Sequence, residues 1–563
     1  MKRFNGIYVA LVLFGIINLL DALARFGGDA MDLEPIPFFL FSAWVFVRNT
    51  VGYTLLLAAP SLLLGKCSRI LLSVVFCYVL GIEAAMRYSE NVFHANLSSV
   101  WLSLVENTSL HEISEFLCMS ATGTAIAGTA FMMLAMMVGV LLIWYSQYPK
   151  PSKRSFLVGT MFCIPFLITN CLLIGFQNGN WKFGINQTHY TQFVFGTINA
   201  ITEMRGINQA CDNRGLPQKL KVGIDAADMP DGVFVLGESS TRNNWHLYGY
   251  PRQTTPRMDT LCGCGEAVKF NDVVGTQPAT VEALALLLTD ASFDDKARGN
   301  WTLAEAYRRA GYRCVLISNQ YSWGDTTSTL YKIFNGCEKR TSPRIEFGEN
   351  GYDEKLAAIL GNELQSGDGR PTIAFLHLAG IHYPVRPEHV HPPEDTHFND
   401  DIDEEFMRPF SSRTRDRLNR YDDGILYEDK VLGMIVDILR RQSRPSFMFF
   451  ISDHGESPRA ESWRSYVDND IYELPVLLWM SPSYSSHFPE MAKRIVKASS
   501  KRMQSDEMTH GLLELGFIRD IPMQSASMSF LSEEFIGRNP RFINKGRSIY
   551  PKDSLPRTTP RSP

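Results

Sequence analysis

The stretch FVLGESSTRNNWHLYGYPRQTTPRM, Phe234 to Met258, carries the reading of the fold. It opens on an apolar run, Val233 to Leu236, of the kind that makes a buried strand, and a carboxylate, Glu238, appears as that strand ends. In open α/β sheets ligands gather at the carboxyl ends of strands, which puts Glu238 where a metal or substrate is held. A strand-end carboxylate taken alone more often caps a neighbouring backbone group, so the assignment depends on partners elsewhere in the chain.

The surrounding sequence divides in two. With 563 residues the chain is long enough for two or three domains, and its net charge of −4 supplies no basic field for a nucleic acid. The long apolar runs lie almost entirely before Phe176, and most of the charge lies after it. About 20 apolar residues cross a ~30 Å hydrocarbon core. Five stretches meet that length, near Ile7–Leu23, Ile36–Leu64, Ile70–Ala85, Ala121–Tyr145 and Phe156–Phe176. Lys2 and Arg3, Lys66 and Arg69, and Lys150, Lys153 and Arg154 fall in alternate loops, so the positive-inside rule makes those loops cytoplasmic. Five crossings then leave everything after Phe176 on the opposite side. The first stretch resembles a signal peptide, but no small-residue cleavage site follows it, and an uncleaved helix is expected.

Within this half, Arg48 sits inside the second stretch and Glu83 and Arg87 close the third, each a functional candidate or a helix–helix contact. Residues 88–119 read as interfacial amphipathic helices, and 177–231 as a linker along the membrane. From residue 232 to 537, GVFVL, YRCVLIS, TIAFLHL, PSFMFFIS and LPVLLWMS read as strands. TVEALALLL, WTLAEAYRRAG and YDDGILYEDKVLGMIVDILRRQ have helical periodicity. That alternation predicts a largely parallel sheet flanked by helices, and residues 538–563 read as an extended or disordered tail. Of the ten cysteines, Cys211, Cys262, Cys264, Cys314 and Cys337 fall in the polar half, where one or two disulfides are expected in an oxidising compartment. Cys262 and Cys264 lack a second pair at zinc-site spacing.

Candidate partners for Glu238 stand at other strand ends. Asp453 and His454 follow PSFMFFIS, His377 and His382 end and follow TIAFLHL, and Asn319 ends YRCVLISN. Thr280 opens the helix TVEALALLL, as either a nucleophile or an ordinary helix cap. A surface turn at Asp453-His454 and a satisfied core histidine at His377 are the alternative readings. Together these carboxylates and imidazoles suit zinc or another divalent ion. A threonine hydroxyl beside such an ion gains the activation it lacks alone.

GESSTRNNWHLYGYPRQTTPRM, NDVVGTQPATVEAL, LHLAGIHYP, RYDDGILYEDKVL and SDHGES together resemble the phosphoethanolamine transferases of Gram-negative envelopes, in the alkaline phosphatase and sulfatase superfamily. NDVV with PATVEAL is most similar to members that modify the lipopolysaccharide core. The resemblance implies a multi-domain chain, with a five-helix α-helical membrane domain at residues 1–176 and a periplasmic α/β sulfatase-like domain at 232–537. It implies zinc, one ion or two, held by Glu238, Thr280, Asp453 and His454, with Thr280 as the nucleophile that becomes modified. His377 and His382 correspond to histidines on the transferred phosphoryl group or a second zinc, Asn319 to the ethanolamine-phosphate pocket, and Glu112 in ENTSLHEISEFL to a donor head-group contact.

Three departures accompany the resemblance. The asparagine expected about eight residues before Glu112 is absent, no histidine follows in ESPRAESWRSYVDNDIYELP, and no cysteine pair flanks the nucleophile, where Thr276 is a second candidate. The implied activity is transfer of phosphoethanolamine from phosphatidylethanolamine to an envelope glycolipid, by a monomeric protein of the bacterial inner membrane. A phosphoglycerol transferase of the lipoteichoic-acid synthase type and a non-catalytic membrane scaffold are the alternatives.

Overall fold

The computed structural model describes residues 4–28, 46–93, 123–154, 157–158, 160–161, 164, 188–292, 300–320, 329–343, 351–381, 390–399, 404–460, 468–519, 521, 525–543 and 548–554. They form two compact units, and the chain passes from the first to the second after Ala200.

In the first unit, three of the described helices are long and apolar enough to cross a membrane, over Gly6–Leu23, Gly65–Ser89 and Ile126–Tyr145. They belong to α1 (Gly6–Gly28), α2 (Ser68–Phe93) and α3 (Gly123–Tyr145). Large side chains such as Tyr8, Ile70, Val74, Phe131 and Met133 project outward from them, as suits helices solvated by lipid. The described part of the expected second span is not uniformly α-helical. A π-helical turn at Arg48–Tyr53 leads into the short helices Thr54–Ala58 and Pro60–Leu63 with helical backbone at each junction, so the winding changes at Arg48. Most of the expected fifth span and of the 88–119 loop, with Glu112, lies outside the described residues. The segment expected as a linker contains a 22-residue helix, α4 (His189–Ala210).

The second unit is built on a seven-stranded sheet. Its strands are β1 (Asp231–Gly237), β2 (Ala267–Lys269), β4 (Arg313–Ser318), β5 (Lys339–Thr341), β6 (Thr372–His377), β7 (Ser446–Ser452) and β8 (Val476–Met480). They lie in the order β2-β8-β7-β1-β6-β4-β5, and the short β3 (Asp272–Val274) pairs outside it with β9 (Arg502–Gln504). The five strands from β7 to β5 are parallel, while β8 and β2 extend one edge in antiparallel fashion. All five strands read from the apolar runs are present.

Alternation along β1 explains why both faces of the sheet are covered. Phe234 and Leu236 face a core shared with Leu284 of α6 (Thr280–Leu287) and Tyr307 of α7 (Leu303–Arg309). Val233 and Val235 face the opposite core, with Met258 of α5 (Pro256–Gly263), Leu360 of α8 (Glu354–Gln365) and Ile435 of α9 (Ser412–Arg440). A strand buried on both sides reads as a continuous apolar run, which is the pattern GVFVL shows.

Two expectations are corrected. The five cysteines of the second unit are free thiols. Cys211, Cys314 and Cys337 are packed in the apolar core, where they act as small hydrophobic side chains. The tail is ordered over its described residues. Arg541 is 2% exposed and Tyr550 fully buried, and Arg541 bridges Asp272 and Asp553. Its Pro, Arg and Ser content suggested disorder because composition alone does not show these buried ion pairs.

Candidate metal centre

The parallel register aligns the predicted residues at one edge. Gly237 pairs with Ser452, Leu236 with His377, and Ser318 with His377, so Glu238, Asp453-His454, His377 and Asn319 emerge side by side from β1, β7, β6 and β4. Four of the sheet's adjacent strands therefore contribute to a single site. Ser239, which follows Glu238, adopts a left-handed backbone (φ 62°), uncommon for a residue with a Cβ. Its N–H donates to Asp453 Oδ1 at 3.1 Å, and its carbonyl accepts from the Tyr421 hydroxyl at 2.6 Å. Gly380 supports the turn from the other side. It has φ 55°, and a Cβ there would lie 2.6 Å from the Glu238 carbonyl oxygen, which leaves room only for glycine.

Glu238, Asp453 and His454 are buried and bring one ligand atom each within 4.8 Å of one another. His454 Nδ1 lies 2.8 Å from the Gly455 carbonyl, so it carries the proton and turns the Nε2 lone pair to the carboxylates. Nε2 is 3.4 Å from Glu238 Oε1 and 3.5 Å from Asp453 Oδ2, too long and too poorly matched for strong hydrogen bonds. Tetrahedral bonds of about 2.0–2.1 Å put neighbouring ligand atoms about 3.4 Å apart, which is the spacing found. Among the described residues Asp453 Oδ2 is buried with no hydrogen-bond partner, while its Oδ1 is held by the N–H groups of Ser239 and His454. A divalent cation fits this donor set.

Thr280 joins the three. It is the first residue of α6 and not its cap, which is Ala279. Its Oγ1 instead donates to Glu238 Oε2 at 3.1 Å. Thr276 is fully buried, and its hydroxyl has no partner. His377 is fully buried with neither ring nitrogen hydrogen-bonded among the described residues, and burial lowers its pKa to about 4, against the opposing pull of Asp453. The described residues therefore do not satisfy it as a core histidine. Asn319 turns its Nδ2 to the Gly351 carbonyl and Asp353 Oδ1, both at 2.7 Å. Asp353 in turn accepts from the N–H groups of Ala379 and Gly380, so Asn319 braces the loop beneath Glu238. His382 lies outside the described residues.

The remainder of the opening stretch is a scaffold that grips α9. Asn244, Tyr250 and Arg252 all bond the buried Asp422, and the N–H groups of Arg257 and Met258 bond Asp429. Two contributors were not evident from the sequence. Gln320 Nε2 reaches Glu238 Oε2 at 3.4 Å and the Leu378 carbonyl at 2.6 Å. Glu428 of α9 bonds the Ser240 hydroxyl at 2.7 Å, leaving its Oε1 buried without a partner against Gly237. Gln320 lies two residues past the end of β4, the kind of strand-end position where ligands gather. Glu428 lies mid-helix and carries no such signal.

A metal-ready cluster at the carboxyl ends of a mostly parallel α/β sheet, with a hydroxyl poised beside it, defines a class of phospho- and sulfo-transfer proteins. Residues 230–516 match the Sulfatase family, and the chain belongs to that family.

Its curated relatives include the phosphoethanolamine transferase EptC of Escherichia coli K12, 26% identical over 324 residues that make up 55% of this chain and 54% of that protein. The phosphoethanolamine transferase CptA of Salmonella typhimurium LT2 is 24% identical over 82% of this chain and 83% of its own. The chain thus spans about half the length of the EptC relatives it matches and more of CptA. Among solved structures, the integral membrane lipooligosaccharide phosphoethanolamine transferase A of Neisseria meningitidis covers 94% of this chain and 99% of its own, at 18% identity and a TM-score of 0.67. The periplasmic domain of E. coli EptC in complex with zinc covers 61% of this chain and 98% of its own, at 24% identity and a TM-score of 0.53. The family read from the motifs is borne out.

Proposed function

We propose that this protein is a zinc-dependent phosphoethanolamine transferase of the bacterial inner membrane, with the second unit in the periplasm. The observation that carries the reading is the Thr280 hydroxyl hydrogen-bonded to a carboxylate of the three-residue metal set. Curated relatives named phosphoethanolamine transferases support the donor group, and three membrane-length helices support a lipid substrate. Zinc bound there would supply Lewis acidity to the hydroxyl and to a phosphoryl oxygen.

In the first step the Thr280 oxygen attacks the phosphorus of phosphatidylethanolamine. Its proton passes toward Glu238 Oε2, the oxygen that already accepts it, and the bond from phosphorus to the diacylglycerol oxygen breaks. The released alkoxide takes up a proton and leaves as diacylglycerol. His377, at the end of the neighbouring strand, and His382, which the family resemblance pairs with it, would stabilise charge on the phosphoryl oxygens. In the second step an acceptor hydroxyl or protonated phosphate on an envelope glycolipid attacks the same phosphorus, the bond to Thr280 breaks, and the acceptor's proton passes by way of Glu238 to the Thr280 oxygen. Tethering site and lipid substrates to one surface raises their effective concentration. Intact-mass analysis after incubation with phosphatidylethanolamine tests the donor. A phosphoethanolamine adduct mapped to Thr280 is expected, and a phosphoglycerol adduct at that residue would reassign it.

A further inference from the structure

A second cluster of ligating side chains lies in the first unit, far in sequence from the strand ends. Asp21 of α1, Glu83 of α2 and His189 at the start of α4 bring one ligand atom each within 4.8 Å of one another, and all three are buried. His189 Nδ1 lies 3.1 Å from Asp21 Oδ1 and 2.9 Å from Glu83 Oε2. Arg87 occupies the other oxygen of Glu83 at 2.5 Å and the Leu20 carbonyl at 2.8 Å, which leaves Oε2 turned to the histidine. The helices meet here at one level. Asp21 and Glu83 each stand fifteen residues past the first residue of their helix, about 22 Å along the axis at 1.5 Å per residue. With the amino terminus cytoplasmic, that level is the outer part of the bilayer. One turn back on α1, Asn18 links Thr54 and Tyr190, so buried polar groups concentrate at this depth.

We propose that Asp21, Glu83 and His189 form a binding site for a six-coordinate divalent cation, separate from the centre that contains Thr280. Ligands at about 2.1 Å from such a cation lie about 3.0 Å apart when they are cis to one another, and the two nitrogen–oxygen spacings bracket that value. The catalytic set has wider, tetrahedral spacing, so the two sites favour different ions. One imidazole nitrogen with two carboxylate oxygens suits manganese-like ions better than zinc in a closed tetrahedral site. One cation at the centre of the cluster would take His189 Nδ1, Asp21 Oδ1 and Glu83 Oε2 together. Buried carboxylates at membrane depth are rare unless they are paired or bind an ion.

The test uses the full chain in detergent, stripped with a chelator and titrated with Mn²⁺, with bound metal counted by mass spectrometry and electron paramagnetic resonance. The background is Glu238→Gln with Asp453→Asn, which dismantles the strand-end site. One Mn²⁺ per chain is expected to remain, to raise the melting temperature, and to be lost in Asp21→Asn and in His189→Ala. Absence of bound Mn²⁺ in the background protein would overturn the proposal without any substitution in the membrane unit, leaving the three side chains as a helix–helix contact. An undiminished Mn²⁺ count in Asp21→Asn and His189→Ala would overturn it equally.

Discussion

Thr280 Oγ1 donates to Glu238 Oε2 across 3.1 Å, joining the first turn of α6 to the end of β1. Because Ala279 is the cap residue, the Thr280 hydroxyl is not committed to the helix and is available to the site. Removing it should leave the fold intact and eliminate the oxygen proposed to attack. Thr280→Ala is expected to lose lipid-dependent transfer on the order of 10³-fold or more, and Thr280→Ser to keep a measurable part of it. Diacylglycerol release from phosphatidylethanolamine is the measurement. Full release by Thr280→Ala would move the nucleophile elsewhere, with Thr276 the first residue to examine.

The unpartnered Asp453 Oδ2 and the 3.4–3.5 Å gaps around His454 Nε2 describe a site that an ion completes. Asp453→Asn or His454→Ala should therefore weaken zinc binding by more than about 100-fold, the upper end seen when only an outer partner of a ligand is lost. Competition with a chromogenic chelator reads this directly. With the ion bound only to the folded state, a hundredfold excess over its dissociation constant should add about 2.7 kcal/mol of stability, lost on chelation. An unchanged melting temperature after chelation would count against the assignment.

Glu428 offers a pH-dependent signature. Burial, the largest influence, raises its pKa from the ordinary carboxylate range to about 8, and the charges of Asp353 and Asp453 add to that. Folding therefore favours the protonated acid. The contribution to stability is complete below the ordinary glutamate pKa and is lost progressively as pH rises towards 8. Glu428→Gln, which mimics the neutral acid, should flatten the fall in melting temperature between about pH 4.5 and 8. A variant whose profile still tracks that of the wild type would show that Glu428 is not the titrating group.

Much of this architecture is legible from short-range patterns. An apolar run buried on both faces identifies β1, and residues that break such runs, Glu238, His377, Asn319 and Asp453, fall at strand ends because strand lengths match across a parallel sheet. The sequence does not show which of these chemically similar residues turn inward. Asn319 and His377 both stand at strand ends, yet Asn319 braces the Asp353 loop while His377 keeps both nitrogens unpartnered. Glu428 was illegible because a mid-helix glutamate usually faces water, and only the packing of α9 against Gly237 buries it. The Asp21–Glu83–His189 cluster was hidden by separation, since His189 lies 106 residues after Glu83.

Arg541 provides a test of the carboxyl-terminal segment. Its guanidinium is 2% exposed, bonds Asp272 Oδ1 at 2.7 Å and Asp553 Oδ1 at 3.2 Å, and lies over the Tyr550 ring. The Tyr550 hydroxyl donates to Glu473, whose main-chain carbonyl accepts from Arg242 and whose side chain accepts from Asn243, so the tail is linked to the loop that follows Glu238. Arg541→Ala would leave Asp553 with Arg502 alone and remove the charge-assisted bonds to Asp272 and Asp553, which together contribute about 3 kcal/mol. At ~2–4 °C per kcal/mol, the melting temperature should fall by roughly 6–12 °C. Arg541 touches no candidate metal ligand, so the zinc content of the protein that remains folded should be unchanged. A lowered melting temperature with full zinc occupancy would establish the segment as a structural strap. Loss of zinc at temperatures well below unfolding would instead mean that its hold on the Arg242–Asn243 loop extends to Glu238.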